Sequence, residues 1–162
     1  MWAWQFSKLQ YTADLHGWTR FVSMQNQYSL MQREEEREMF GLLADQGVGS
    51  IPWSPLAKGR LARPWGTQTH RADTDPIGRR LFHDSDKPIA DAVQQVAEAH
   101  GAPMAQVALA WVLKNFVVTA PIVGATKPHH LPDAIAALDI RLTDDEIRTL
   151  EEPYTLRQPT GF

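Results

Sequence analysis

SIPWSPLAKGRLA, residues Ser50–Ala62, is the stretch from which the rest of the chain can be placed. An apolar run, Val48–Trp53, closes on an aromatic residue and meets Ser54-Pro55. The proline has no N–H to give, so a regular ladder cannot continue, and the run predicts a buried strand that stops there. A small basic loop follows, Ala57-Lys58-Gly59-Arg60. That order suits a site for a flat ring attached to an anion: the aromatic stacks on the ring, while open N–H groups and the cations meet the anion. The alternative for the same residues is a strand end with a proline turn and two solvated charges.

Working outward, the pattern alternates. Met1 opens directly into a helix, with Trp2, Phe6, Leu9 and Ala13 along one face and Gly17 as its stop. An opening on three aromatics within six residues, with nothing before it to cap the helix, suggests that further sequence belongs upstream. Phe21–Gln25 reads as a short strand, Asn26–Gln32 as a loop carrying Tyr28, and Glu34–Gln46 as a helix. Acids crowd the first turns of that helix, where they suit its dipole, and Met39, Leu42 and Leu43 form its buried stripe. Gly47 then leads into the strand Val48–Trp53. Helix, strand, helix, strand points to parallel strands joined by crossovers.

Beyond the basic loop, Pro64–Asp84 is polar and aperiodic, a long loop of the kind that is functional or disordered. Two helices follow. Asp86–His100 presents Ile89, Val93 and Val96 and closes at Gly101; Pro103–Asn115 starts on proline and carries Val107, Ala110, Trp111 and Val112. They are expected to pack as a pair. Val117–Val123 is another buried strand, leading through Gly124-Ala125-Thr126-Lys127 to a helix over about Pro128–Leu138. The last helix opens on Thr143-Asp144-Asp145-Glu146, which has capping-box spacing, and ends near Glu152.

The whole chain narrows the class. Its 162 residues suit one domain with a real core, read here as residues 1–152 followed by a tail, 153–162. A net charge of −3 gives no reason to expect nucleic acid or an anionic membrane as partner. No cysteine is present, which excludes disulfides and thiolate metal sites. The start lacks a signal-peptide pattern, and no apolar run approaches the roughly 20 residues that span a bilayer. A cytoplasmic location is expected.

Three predicted strands end in candidate site groups: Gln25, Trp53-Ser54 and Gly124–Lys127. In parallel α/β architectures ligands gather at the C-terminal ends of strands. Gly124–Lys127 precedes a helix, so its N–H groups and Lys127 suit a phosphate, although an ordinary strand-to-helix turn has the same residues. The other candidates are weaker. His129 and His130 are adjacent, so on a helix they diverge and make a poor metal pair. Glu34-Glu35-Glu36 reads as a solvated helix start, and Ser54 lies in no nucleophile-elbow context. There is no G-x-G-x-x-G and no phosphate-binding G-x-x-x-x-G-K-[ST] motif. The six tryptophans read mostly as core, Trp53 excepted.

Taken together, FVSMQNQYSL (Phe21–Leu30), REEERE (Arg33–Glu38), IPWSPLAKGRL (Ile51–Leu61), QVALAWVLKN (Gln106–Asn115), PIVGATKPHHL (Pro121–Leu131) and LTDDEI (Leu142–Ile147) resemble the C-terminal half of an aldo-keto reductase. The resemblance runs through nearly the whole chain. It implies an α/β fold, the C-terminal part of a (β/α)8 TIM barrel with about three parallel strands and their helices. It also implies NADPH as cofactor and a small carbonyl compound as substrate.

By the same resemblance, Gln25 corresponds to the residue that bonds the nicotinamide carboxamide and Trp53 to the aromatic that stacks on the nicotinamide ring. Ser54, Leu56, Ala57, Lys58 and Arg60 correspond to the loop along the pyrophosphate. Gly124, Thr126 and Lys127 correspond to the loop around the adenosine 2′-phosphate, which favours NADP over NAD. Where the family often has Gln, Glu and Asn further along that helix, this chain has His130, Asp133 and Ala134. The family's catalytic Asp, Tyr, Lys and His belong to the other half of the barrel, so no catalytic residue is assigned here, and Tyr28 is in the wrong place to substitute. Two expectations follow. One is a truncated reductase chain that keeps the cofactor half-site and is inactive alone. The other is a non-catalytic NADP(H)-binding or interaction module that self-associates through exposed strand edges or complements another half-barrel.

Overall fold

The computed structural model describes residues 1–67 and 83–157. Most of the expected long loop Pro64–Asp84, and residues 158–162 of the tail, lie outside the described residues. Among the described residues the fold is α/β, with six helices around a two-stranded parallel sheet. Helix α1 (Ala3–His16) leads to β1 (Ser23–Met24); α2 (Met39–Gln46) leads to β2 (Gly49–Ser50). Then come α3 (Lys87–His100), α4 (Met104–Leu113), α5 (His130–Ala136) and α6 (Asp144–Glu151).

The strands are much shorter than the apolar runs that predict them. Ser23 faces Gly49 and Met24 faces Ser50 in parallel register, and an isolated bridge, Gln27 to Trp53, extends the pairing. The third run, Val117–Val123, contributes one bridge, Ser50 to Val118, rather than a strand. Its backbone still follows β2: Ser50 N–H donates to Val117 O, Thr119 N–H to Ser50 O and Ile122 N–H to Pro52 O, each at 2.8 Å. Pro52, Pro55 and Pro121 explain the shortening, since each removes a donor from the ladder. The order across the layer is nevertheless β1, β2, then residues 117–122.

Helix boundaries and faces hold with informative exceptions. In α1, Phe6 and Ala13 are buried as expected, but Trp2 and Leu9 are exposed, and Gln10 is buried instead. The Gln10 amide donates to Phe21 O at 3.0 Å and accepts from Phe21 N–H at 2.9 Å. A fully paired amide can occupy a core position that an apolar period does not anticipate. The predicted helix Glu34–Gln46 is two elements, a 3-10 turn over Glu34–Arg37 and then α2. Helices α3 and α4 do pack together, and α6 lies against α3. The Thr143–Glu146 capping box closes as read: Glu146 N–H donates to Thr143 Oγ1 at 3.3 Å and Thr143 N–H to Glu146 Oε2 at 2.8 Å. Of the tryptophans, only Trp111 is fully buried; Trp2, Trp4 and Trp18 are exposed, contrary to the expectation of core positions.

Glu34 and its neighbours are the largest departure. They are not a solvated helix start but one side of a polar network beneath the core. Arg33 grips Glu36 with both Nε and Nη2, and Nη2 also reaches Glu151 Oε2 on α6 at 2.9 Å. Glu151 Oε1 in turn accepts from Trp111 Nε1–H at 2.9 Å and pairs with Lys114 at 2.8 Å. Buried Glu34 pairs with Arg37 at 2.7 Å and accepts from the Tyr154 hydroxyl at 2.8 Å and the Arg157 N–H at 2.7 Å. Arg157 also pairs with the fully buried Asp86 ahead of α3. Burial, then the hydrogen bond and charge of Glu34, push the Tyr154 phenol up to about 12.

Two outcomes test this packing. Burial pulls the Glu151 carboxyl up, but the bonds from Lys114 and Trp111 and the charge of Arg33 outweigh it and hold the group below the usual carboxylate range. A depressed carboxylate contributes stability that is present above its unfolded pKa and lost as pH falls through the folded one. Glu151→Gln should therefore lower the urea midpoint at neutral pH, and the gap from wild type should close as pH falls below about 4, the unfolded carboxylate range. The second test concerns Gly49, where a Cβ would lie 2.1 Å from Thr119 Oγ1 and 3.2 Å from Thr119 Cβ. Gly49→Ala should cost about 1–3 kcal/mol in the same assay, and adding Thr119→Ala should restore most of it.

Candidate functional site

The chain that leaves β2 is forced into an uncommon path. Ser54, Ala57 and Lys58 all have positive φ (54°, 47° and 55°), a region that costs non-glycine residues energy. Ala57 is fully buried, which anchors the turn, and Leu61 is buried behind it. The loop is also closed on itself. Ala57 N–H donates to Ser54 O at 2.9 Å, Gly59 N–H to Leu56 O at 2.8 Å and Arg60 N–H to Ala57 O at 3.2 Å. These N–H groups are therefore not the open anion donors expected from the sequence, and recognition falls to side chains.

Across from this loop lies the segment after residues 117–122. Between the two is a cleft of about 270 Å³. Ser54, Leu56 and Lys58 line one wall; Gly124, Thr126, His130 and Asp133 line the other. Seven of the twelve residues assigned from the sequence thus meet around one cavity, although they come from distant parts of the chain. Helix α4 forms the floor with Ala105 and Leu109. His130 is half-buried, and its Nδ1 accepts the Thr126 N–H at 3.2 Å.

The remaining five lie elsewhere. Ala57 is the buried support beneath the loop. The Arg60 guanidinium stands over the Trp65 ring at 5.6 Å. Lys127 is exposed on the turn before α5. Gln25 is exposed just past β1, and Trp53 is half-buried at its bridge to Gln27. One charged cleft residue was not assigned from the sequence. Arg63 lines the cavity and donates from Nε to Gly59 O at 3.0 Å. Its position four residues after Gly59 in the same basic stretch was the available signal.

The donor set fits the phosphate-bearing end of a dinucleotide: Lys58 and Arg63 supply charge, and Ser54, Thr126 and His130 supply polar edges. Tyr28 is buried in the core, stacked on Trp111 with its hydroxyl donating to Glu36 at 2.6 Å. Burial first, then the Glu36 charge, hold this phenol far above its ordinary range, so it stays protonated. Among the described residues no three His, Asp or Glu side chains cluster to hold a metal. Nor, among them, is any helix long and apolar enough to cross a membrane.

Comparison with known proteins identifies the family. A model of the aldo/keto reductase family matches residues 3–154. The chain is 46% identical over 157 residues to versiconal hemiacetal acetate reductase of Aspergillus parasiticus, covering 94% of this chain and 46% of that protein. It is 42% identical over 163 residues to an aldo-keto reductase of Alternaria alternata, covering 99% of this chain and 44% of the relative. Against an aldo-keto reductase of Fusarium vanettenii the identity is 43% over 165 residues, with 99% and 44% covered. The chain thus spans a little under half the length of these relatives. With a family match over nearly all of its length, the chain belongs to the aldo/keto reductase family.

Proposed function

We propose that these residues are the coenzyme-holding part of an NADPH-dependent carbonyl reductase whose (β/α)8 barrel is completed by sequence outside the 162 residues. The observation that carries this reading is the cleft itself: a strained basic turn after one strand and a polar turn after the next converge on one cavity. Both turns follow parallel segments, where α/β folds gather their ligands. When bound, the nicotinamide cofactor supplies hydride to a carbonyl carbon. This chain's own part is to bind and orient. Lys58 and Arg63 draw the phosphates to the cleft, Leu109 and Ala105 exclude water from its floor, and Trp53 and Gln25 stand along the strand ends for the ring and its carboxamide. The proton for the carbonyl oxygen comes from a residue outside this chain.

A second reading, a non-catalytic NADP(H)-binding module that pairs with a copy of itself or with another half-barrel, is favoured by one observation. Trp4, Tyr11 and Leu15 form an exposed apolar stripe along α1, and Trp18, Phe21 and Val22 are exposed between its end and β1.

Titration of the purified chain with NADPH, followed by coenzyme fluorescence, tests the first reading. Binding should saturate, Lys58→Ala should weaken it about tenfold, the loss of one charged contact, and a reactive aldehyde should not be turned over. Turnover that disappears on Trp53→Ala would show that the chain is a complete enzyme and overturn the reading. A defined dimer with saturable binding would favour the second.

A further inference from the structure

We infer that Asn26 and Ser50, neither of which lines the cleft, are positioning residues: the bond between their side chains aims the Trp53 ring at the nicotinamide. The inference rests on the coenzyme reading above, in which Trp53 meets that ring, and adds to it the device that holds Trp53 in place. Pairing between the first two strands is interrupted just where it approaches the site. β1 ends at Met24 and β2 at Ser50, and the last regular rung runs from Ile51 N–H to Met24 O at 2.9 Å. Pairing resumes only at the isolated bridge of Gln27 to Trp53. There Trp53 N–H donates to Asn26 O at 2.8 Å, and Tyr28 N–H reaches Trp53 O at a long 3.4 Å. Gln25 lies in the interruption and Trp53 at its far end, so the two groups assigned to the nicotinamide stand on backbone that a regular ladder does not hold.

A side-chain bond crosses the gap. Ser50 Oγ–H donates to Asn26 Oδ1 at 2.6 Å, with Ser50 fully buried and Asn26 only 4% exposed. Ser50 is a firm anchor. Its N–H donates to Val117 O and its carbonyl accepts from Thr119 N–H, each at 2.8 Å, so its main chain is tied to the neighbouring segment and its hydroxyl is left for the first strand. Asn26 then uses both of its oxygens: the side chain takes the Ser50 hydroxyl, and the main chain takes the Trp53 N–H. The link runs from the middle of the layer, through Asn26, to Trp53. Water cannot replace a bond buried this deeply, so losing the Ser50 hydroxyl leaves Asn26 untethered at that end. Trp53, half-buried, would keep its two backbone bonds but could tilt with Asn26. Stacking depends on the angle and offset of the two rings, so a tilt weakens the grip on the nicotinamide. The phosphate end of the coenzyme, held by Lys58 and Arg63 across the cleft, does not depend on this link.

The test uses the whole chain and two ligands: NADPH, and adenosine 2′,5′-bisphosphate, which has the phosphate end without the ring. Ser50→Ala should weaken NADPH roughly tenfold and leave the bisphosphate within about twofold of wild type. Added to Trp53→Ala, it should cause no further loss of NADPH affinity, because the two act through one ring. Ser50→Ala combined with Asn26→Leu removes both partners of the buried bond and orphans neither, so it folds even where Ser50→Ala alone does not, and it should show the same split between ligands. With the six tryptophans replaced by 5-fluorotryptophan, fluorine NMR of the free chain gives a readout that a merely structural role would not move. The Trp53 resonance, identified by Trp53→Phe, should shift or broaden in these variants while that of the fully buried Trp111 stays in place. Equal losses for the two ligands, losses additive with Trp53→Ala, or an unmoved Trp53 resonance overturns the inference while the coenzyme reading stands. Failure of wild type to bind NADPH overturns both.

Discussion

The Arg33 guanidinium holds the separate helices of this chain to one another. It lies between the 3-10 turn that follows the first strand and the C-terminal turn of α6, bonded to Glu36 on one side and Glu151 on the other. Trp111 and Tyr154 lie on its faces, each with ring centroid 5.4 Å from the guanidinium carbon. A planar fork can bond two carboxylates while its charge also lies against aromatic rings. Taking such charges out of water costs several kcal/mol per ion, which good geometry and further bonds must repay. Here they do, since Tyr28, Trp111 and Lys114 complete the lone pairs of Glu36 and Glu151. The network stabilises less by its Coulomb energy than by admitting one arrangement of its parts.

That constraint reaches the cleft through α4. Val107 and Trp111 face the core, with Lys114 just past the helix end pairing into the network. Ala105 and Leu109 lie on the opposite side of the same helix and form the floor of the cavity. Fixing Trp111 against Arg33 therefore fixes how deep the cleft is and which residues floor it. The two walls are positioned differently. One is held by the buried Ala57 and a self-bonded strained turn; the other leaves β2's neighbour through Ile122 and enters α5 by way of His130.

The exposed side of the molecule follows from the same parts. Helix α1 buries Ala3, Phe6, Gln10 and Ala13 and leaves Trp4, Tyr11 and Leu15 exposed on its far side. Just ahead of β1, the N–H and O of Phe21 are satisfied by a side-chain amide, Gln10, rather than by another strand. A side-chain clamp of this kind protects one carbonyl and one N–H but leaves Phe21 and Val22 bare. The apolar surface there is what a partner, in the same chain or another, would cover.

Much was legible from the order of residues alone. Helical period and capping residues located the six helices of the described residues, because those signals are local and act within a turn or two. Motif spacing carried the family, because Ile51–Leu61 and Pro121–Leu131 each keep a pattern set by a single turn. What tertiary structure decided was of another kind. The acidic run Glu34-Glu35-Glu36 has the same letters as a solvated helix start, and only Tyr154 and Arg157 arriving from the far end of the chain, beside the local pair with Arg37, make a buried anchor of Glu34. Gln10 and Trp18 exchanged the places their polarity suggests, since burial depends on which face meets a partner. Arg63 joined the cleft and Arg60 turned to Trp65 because three left-handed residues redirect the loop. Local periodicity fixes what a segment is. Which charges are paired, and which side chains meet across a cavity, depends on long-range packing that no window of sequence contains.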